Sequence, residues 1–150
     1  MSPNLEQELI STDPIFFEES IACANGEMCQ LDTCMFWGID CDDGWFKPLK
    51  AFAEQMKLLN KLAIEENFKC VCSQLKEKYG RCCIYYGFKR IDETKPVGEL
   101  YDTLVEIIDR TIYLAEDSCD AFCEVCGSKD NLTYTEGWIK RVCDKCKEKH

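Results

Sequence analysis

The chain has 150 residues, 46% hydrophobic and 31% charged, with a formal net charge of −10. That is enough for one hydrophobic core and a small satellite module, and the composition excludes a disordered or fibrous polymer. No apolar run approaches the roughly 20 residues of a membrane span, and the acidic opening "MSPNLEQELISTDP" lacks the apolar segment of a signal peptide. A reducing cytoplasm is the expected location, where 13 cysteines point to metal ligands and buried thiols rather than disulfides.

The negative charge is unevenly placed. Residues 1–46 hold Glu6, Glu8, Asp13, Glu18, Glu19, Glu27, Asp32, Asp40, Asp42 and Asp43 and no lysine or arginine, while acids and bases balance in the rest of the chain. Such a surface repels phosphate backbones and favours basic partners.

In chain order, Leu5, Leu9 and Ile10 predict a short amphipathic helix over 4–10 that Pro14 ends. Residues 15–44 are turn-rich and cysteine-rich, without a sustained period. Trp45, Leu49, Phe52, Met56, Leu59 and Ala63 step by three or four and predict a helix over about 45–66, with Phe46, Ala53 and Leu62 widening its apolar face and Asp43 as N-cap. A β-hairpin is predicted next, with strands at about 68–75 and 81–88 and a turn at 78–80. A short helix over 73–79 is the alternative. Pro96 then marks the start of a helix over about 96–118, with Leu100, Leu104, Ile107, Ile108, Thr111, Leu114 and Ala115 on one face.

The C-terminal stretch carries the firmest chemistry. Cys123-x-x-Cys126 and Cys143-x-x-Cys146 bracket sixteen residues, a spacing that lets two tight turns aim four thiolates at one ion, and Zn²⁺ takes such a set tetrahedrally. Gly127 stands where a left-handed residue belongs, and "NLTYTEGWIKRV" reads as strand, Glu136-Gly137 turn, strand. A closed four-cysteine site leaves no position for substrate, so the expected role of zinc is structural. His150, the only histidine, reads as an exposed, idle end. A second metal site from Cys23, Cys29, Cys34 and Cys41 is a weaker candidate, because their spacings match no standard knuckle. Cys70, Cys72, Cys82 and Cys83 read as core residues, and Asp40, Asp42 and Asp43 as a helix cap with solvated neighbours.

The expected fold class is α+β: two main amphipathic helices and a β-hairpin, with residues 1–118 as an acidic core and 119–150 as a zinc-ribbon-like module packed on it. No P-loop, dinucleotide-binding or nucleophile-elbow motif occurs, and a non-enzymatic protein is expected. The candidate contact surface for a protein partner comprises Glu18, Glu19, Phe36, Trp37, Asp40, Asp42, Asp43 and Trp45. Lys140, Arg141, Lys145, Lys147 and Lys149 allow a second reading, a nucleic-acid-associated ribbon, which the balanced charge of 119–150 weakens. A third reading is a binder of a small ligand or nucleotide signal, with aromatics for stacking.

"CMFWGIDCDDGWF", "QLKEKYG" followed by an aromatic strand, and "CEVCGSKDNLTYTEGWIKRVCDKC" together resemble a widespread family of small proteins of tailed phages and prophages, over roughly residues 30–147. The family shows Cys-x-x-Cys pairs around a Gly-Trp hairpin, here Cys123, Cys126, Gly137, Trp138, Cys143 and Cys146. It also shows a Gly-Asp-Gly-Trp type turn, of which this chain keeps Asp43, Gly44 and Trp45 but has Asp42 in place of the first glycine. The resemblance supplies no established activity. It implies a phage origin, expression inside a bacterial host and an accessory role. For small acidic proteins of this class, that role is binding a host protein, including components of antiviral defence.

Overall fold

The computed structural model describes residues 1–149; His150, read above as an idle end, lies outside them. Helix α1 spans Pro3–Thr12, with proline in its first turn. It ends at Asp13, a fully buried carboxylate whose Oδ1 accepts the N–H groups of Ile15 (3.1 Å) and Phe16 (3.2 Å). That turn swings Phe16 and Phe17 into the core, where Phe16 meets Phe17 and Phe52 edge to face at centroid distances of 5.1 and 5.4 Å. Helix α2 (Glu18–Ala24) follows, then single helical turns at Cys34–Trp37 and Asp43–Trp45. Both lie in or at the end of the stretch read as irregular.

Helix α3 (Phe46–Glu65) buries Leu49, Phe52, Ala53, Met56 and Ala63 as the periodicity predicts, but Leu62 is 48% exposed. Asp43 is not its N-cap: the chain enters through the turn at Asp43–Trp45, and the Asp43 Oδ1 accepts the N–H of Ser2 at 2.6 Å instead. The middle of α3 carries Asn60, fully buried. Its Nδ2 donates to Asp13 Oδ2 (3.2 Å) and the Cys70 carbonyl (3.1 Å), and its Oδ1 accepts the Cys70 N–H (2.8 Å). One side chain thus joins the α1 turn, α3 and the first strand. Asn60→Leu keeps the branching and the number of side-chain heavy atoms and strands three buried polar groups, so urea denaturation is expected to show a loss of about 3 kcal/mol; an unchanged midpoint would contradict the role assigned to it.

Strands β1 (Phe68–Lys78) and β2 (Arg81–Arg90) form the predicted antiparallel hairpin, in register from Phe68 opposite Arg90 to Lys78 opposite Arg81. The alternative helix over 73–79 does not form. The pairing shifts between Cys72 and Gln74, leaving Ser73 as a bulge. The bulge reverses the alternation: Cys70 and Cys72 are buried before it and Leu75 after it. The connecting turn holds Tyr79 at φ 55° and Gly80 at φ 76°, both left-handed, as a two-residue hairpin turn requires. The outer edge of β1 is covered. Cys72 N–H donates to the Phe16 carbonyl (2.7 Å), Asp40 N–H to Leu75 (3.0 Å), and Glu77 N–H to Asp40 (2.7 Å).

Helix α4 begins at Tyr101 and ends at Cys119, five residues after the predicted start at Pro96. Asn67, itself left-handed at φ 65°, holds the intervening turns: its Nδ2 donates to the carbonyls of Asp92, Lys95 and Pro96, and its Oδ1 accepts the Asp92 N–H. The apolar face of α4 is also rotated from the predicted one. Leu104, Ile108, Ile112, Ala115 and Cys119 are buried, whereas Leu100, Ile107 and Leu114 are exposed. Helices α3 and α4 pack together, α3 against β1 and α4 against β2. The architecture is α+β, as predicted. Among the described residues no helix is long and apolar enough to cross a membrane.

Candidate metal centre and the adjoining cleft

Residues beyond α4 build a small ribbon from strands β3 (Leu132–Tyr134) and β4 (Arg141–Cys143) and the single-turn helix α5 (Asp144–Lys147). The strands are shorter than the sequence suggests, but the turn forms: Thr135 N–H donates to the Lys140 carbonyl at 3.0 Å, and Gly137 sits at φ 78°. The first knuckle closes through Gly127 N–H to the Cys123 carbonyl (2.8 Å) and Cys123 N–H to the Ser128 carbonyl (2.7 Å), with Gly127 at φ 75°.

These turns bring Cys123, Cys126, Cys143 and Cys146 together, their sulfurs all within 4.8 Å of one another. The Cys126 and Cys143 sulfurs are 3.6 Å apart, and tetrahedral coordination at about 2.3 Å implies about 3.8 Å between ligand sulfurs. The four thiols could therefore hold a metal ion, and a tetrahedral sulfur set is the donor set of zinc or an iron–sulfur centre. Burial pushes the Cys123 thiol up, but backbone N–H groups of Cys126 and Cys143 outweigh it and hold the group at about 7. Burial and the neighbouring thiols push Cys146 up to about 12. Besides its ligand cysteines, the ribbon's own cluster contains only Val142 as a fully buried apolar residue, with Val125 and Leu132 packed against it.

The ribbon sits on the core through Gly44 and Gly80. Gly44 N–H donates to the Glu124 carbonyl at 2.7 Å. A Cβ at Gly80 would meet the Tyr134 ring at 2.7 Å, so the hairpin tip abuts the ribbon. Between ribbon turn, hairpin tip and the 40–42 segment lies a cleft of about 510 Å³. At its base Glu124 is 1% exposed, and its Oε2 has no hydrogen-bond partner. Its Oε1 accepts the Asp42 N–H (3.3 Å) and lies 3.6 Å from Lys140 Nζ, which donates to Asp42 Oδ2 at 2.5 Å. Burial pushes the Glu124 carboxyl up to about 7, against the pull of Lys140 and with a further push from Asp42. The sequence reading missed Glu124, because a charged residue between two ligand cysteines carries no sign of its burial.

Several predicted site residues are placed elsewhere. Trp45, read as a contact residue, is fully buried in the core. Glu19, also read as a contact, is 8% exposed; it accepts from Thr33 Oγ1 (2.5 Å) and pairs with Lys89 (2.8 Å). Glu18 is half-buried and tied to Lys69 and Lys89. Asp42 is half-buried on Lys140. Phe36, Trp37, Asp40 and Asp43 are exposed, as expected of a contact surface. Among the described residues Cys23, Cys29, Cys34 and Cys41 do not assemble into a metal-type group. Cys29 and Cys34 are exposed, whereas Cys41 is buried in the core cluster that also holds Cys82, and burial pushes its thiol far up. Cys70, Cys72 and Cys82 are buried core thiols, as predicted, and Cys83 is half-buried. Lys140 is engaged by Asp42 and Glu124 and Arg141 by Tyr134, so these two cations of the C-terminal basic group already have partners.

Fold and site define the class: an α+β protein whose C-terminal module fits a zinc-ribbon arrangement around four cysteines. No protein-family model matches the chain, and neither a curated protein nor a solved structure matches it.

Proposed function

We propose that the chain is a non-enzymatic, zinc-clamped accessory protein of the tailed-phage type its motifs resemble, acting in the cytoplasm of a bacterial host by binding and modulating a host protein. Inhibition of an antiviral defence system is the specific form. The four cysteines are read as ligands of one structural Zn²⁺, since closed tetrahedral thiolate sites are the commonest structural use of that ion.

The observation that carries the protein-binding reading is the segment 27–38. Leu31 is 89% exposed and Trp37 71% exposed, with Phe36 packed edge to face on Trp37 at 5.1 Å. Exposed Glu27 and Asp32 flank them. Aromatic and aliphatic side chains held in contact with water beside carboxylates fit the anchors of a protein interface better than a solvated loop. Affinity capture from lysate of a bacterial host with the metal-loaded protein is expected to enrich one dominant host protein, and Leu31→Ser with Trp37→Ala to lower that enrichment about tenfold. Equal capture by the double variant would remove this surface from the reading. Glu18 and Glu19 are poor choices for such a test, since their ion pairs link α2 to the hairpin.

A further inference from the structure

Five large aliphatic side chains stay outside the core on one side of the α3–α4 pair. They are Leu58 and Leu62 of α3 and Leu100, Ile107 and Leu114 of α4, each between 42% and 65% exposed. The two helices run antiparallel. Lys47, Ala51 and Gln55 share a groove with Thr111, Leu114 and Ser118 at one end, and at the other the Glu66 carboxylate accepts the Leu100 N–H at 3.0 Å. At 3.6 residues per turn, Ala51, Leu58 and Leu62 form one stripe and Leu100, Ile107 and Leu114 another, side by side on the outer surface. Contiguous apolar faces of this kind on a folded chain mark a contact.

The charges beside the stripes identify what makes it. On the side of α3 away from α4 run exposed Lys47, Glu54, Lys61 and Glu65; on the side of α4 away from α3 run exposed Glu106, Arg110 and Asp117. Lys50, by contrast, pairs with Glu8 of α1. A two-fold axis parallel to the helices, in the plane of contact, lays α3 of each copy antiparallel on α4 of the other and keeps every residue at its own level. Lys47 then meets Asp117 of the second copy, Glu54 meets Arg110, and Lys61 meets Glu106. Asp117 is already 3.6 Å from Arg81, so its share is the smallest. Like charges share a level only at the far end, Glu65 with Glu99 and Asp102. The apolar stripes agree with this register: Leu114 of the second copy comes level with Ala51, where a small side chain leaves room, and Ile107 with Leu58. An unrelated protein would have to reproduce this alternation, whereas the chain already carries it on its other helix.

We propose that the chain forms a two-fold dimer through the outer face of α3 and α4, an antiparallel four-helix arrangement closed by Leu58, Leu62, Ile107 and Leu114 and flanked by Glu54–Arg110 and Lys61–Glu106 pairs between copies. Helices of 20 and 19 residues side by side present a face about 30 Å by 20 Å. That is roughly 1,200 Å² for the two copies together, the lower end of stable interfaces, so a reversible dimer is expected. Segment 27–38 contributes nothing to this face and stays available to a host protein.

Sedimentation velocity of the full metal-loaded chain, with a phosphine reductant to prevent disulfides through exposed Cys29 and Cys34, is expected to show a mass rising with concentration from 17.4 kDa towards twice that value. Leu58→Glu should weaken association at least about a hundredfold and Leu114→Ser about tenfold, both at exposed positions, with the urea midpoint held. Glu54→Arg acts twice in a two-fold dimer and should weaken it about fivefold; adding Arg110→Glu should restore it. A 17.4 kDa species at every concentration up to about 300 µM would overturn the proposal. So would a dimer that survives both leucine changes, or a Glu54→Arg defect that Arg110→Glu deepens instead of repairing.

Discussion

Replacing Gly44 with alanine is expected to lift the ribbon off the core. A Cβ there would lie 2.0 Å from the Cys123 carbonyl oxygen, 2.4 Å from that of Glu124 and 2.5 Å from Gly127 N. All three are backbone atoms of the metal knuckle and cannot swing aside as a flexible side chain would. The same approach makes the hydrogen bond from Gly44 N–H to the Glu124 carbonyl, at 2.7 Å. Trp45, the next residue, is fully buried, so the glycine cannot retreat without dragging an indole out of the core. A loss of about 3 kcal/mol or more is expected in urea denaturation, with loss of hydrogen-exchange protection at the Gly44 amide. Bound metal should stay at one ion per chain, because all four thiols belong to the ribbon. Wild-type stability with an intact Gly44 amide would show that ribbon and core are not joined there.

Metal removal should have the opposite selectivity. Stripped of its ion, the ribbon keeps Val142 as its one fully buried apolar residue besides the cysteines, with Val125 and Leu132 packed against it, far too little to order a module of this size. Structural zinc contributes on the order of 10–16 kcal/mol in isolated finger peptides. Cys143→Ser, or exhaustive chelation, is therefore expected to melt residues 123–147 and leave the helical core folded. The core has its own large cluster built on Trp45, Phe16, Phe52, Phe68 and Ile108. On the zinc reading proposed above, elemental analysis should fall from about one metal ion per chain to none, and the amides of 132–134 and 141–143 should lose protection while helical circular dichroism persists. Protected β3 and β4 amides in the metal-free protein would contradict this, and iron in place of zinc would correct the ion.

What the sequence made legible was local. The four-cysteine spacing, the 3.6-residue period of α3 and the β-rich runs around Lys78–Gly80 are properties of short windows, and the structure realises each. What stayed hidden depends on residues distant in the chain. Asn60 looks like an ordinary polar residue on a helix until Asp13 and Cys70 close on it. Pro96 looks like a helix start until the Asn67 side chain claims the carbonyls around it. The Ser73 bulge breaks strand alternation at a point where no glycine or proline marks it. Trp45 is read twice from the sequence, as the first residue of the apolar face of α3 and, beside three aspartates, as a contact residue; the structure realises the first reading and buries it in the core. The cleft depends on pairs such as Asp42 with Lys140, separated by 98 positions, for which no periodicity exists.

Tyr79 occupies a left-handed position, φ 55°, at the tip of the main hairpin, where asparagine or glycine would rest more easily by roughly 1 kcal/mol. The ease of the turn and the aromatic wall of the cleft are therefore set against each other at a single residue. Tyr79→Gly would relax that corner and take the ring away. The hairpin would come out sturdier, with one wall of the neighbouring cleft gone.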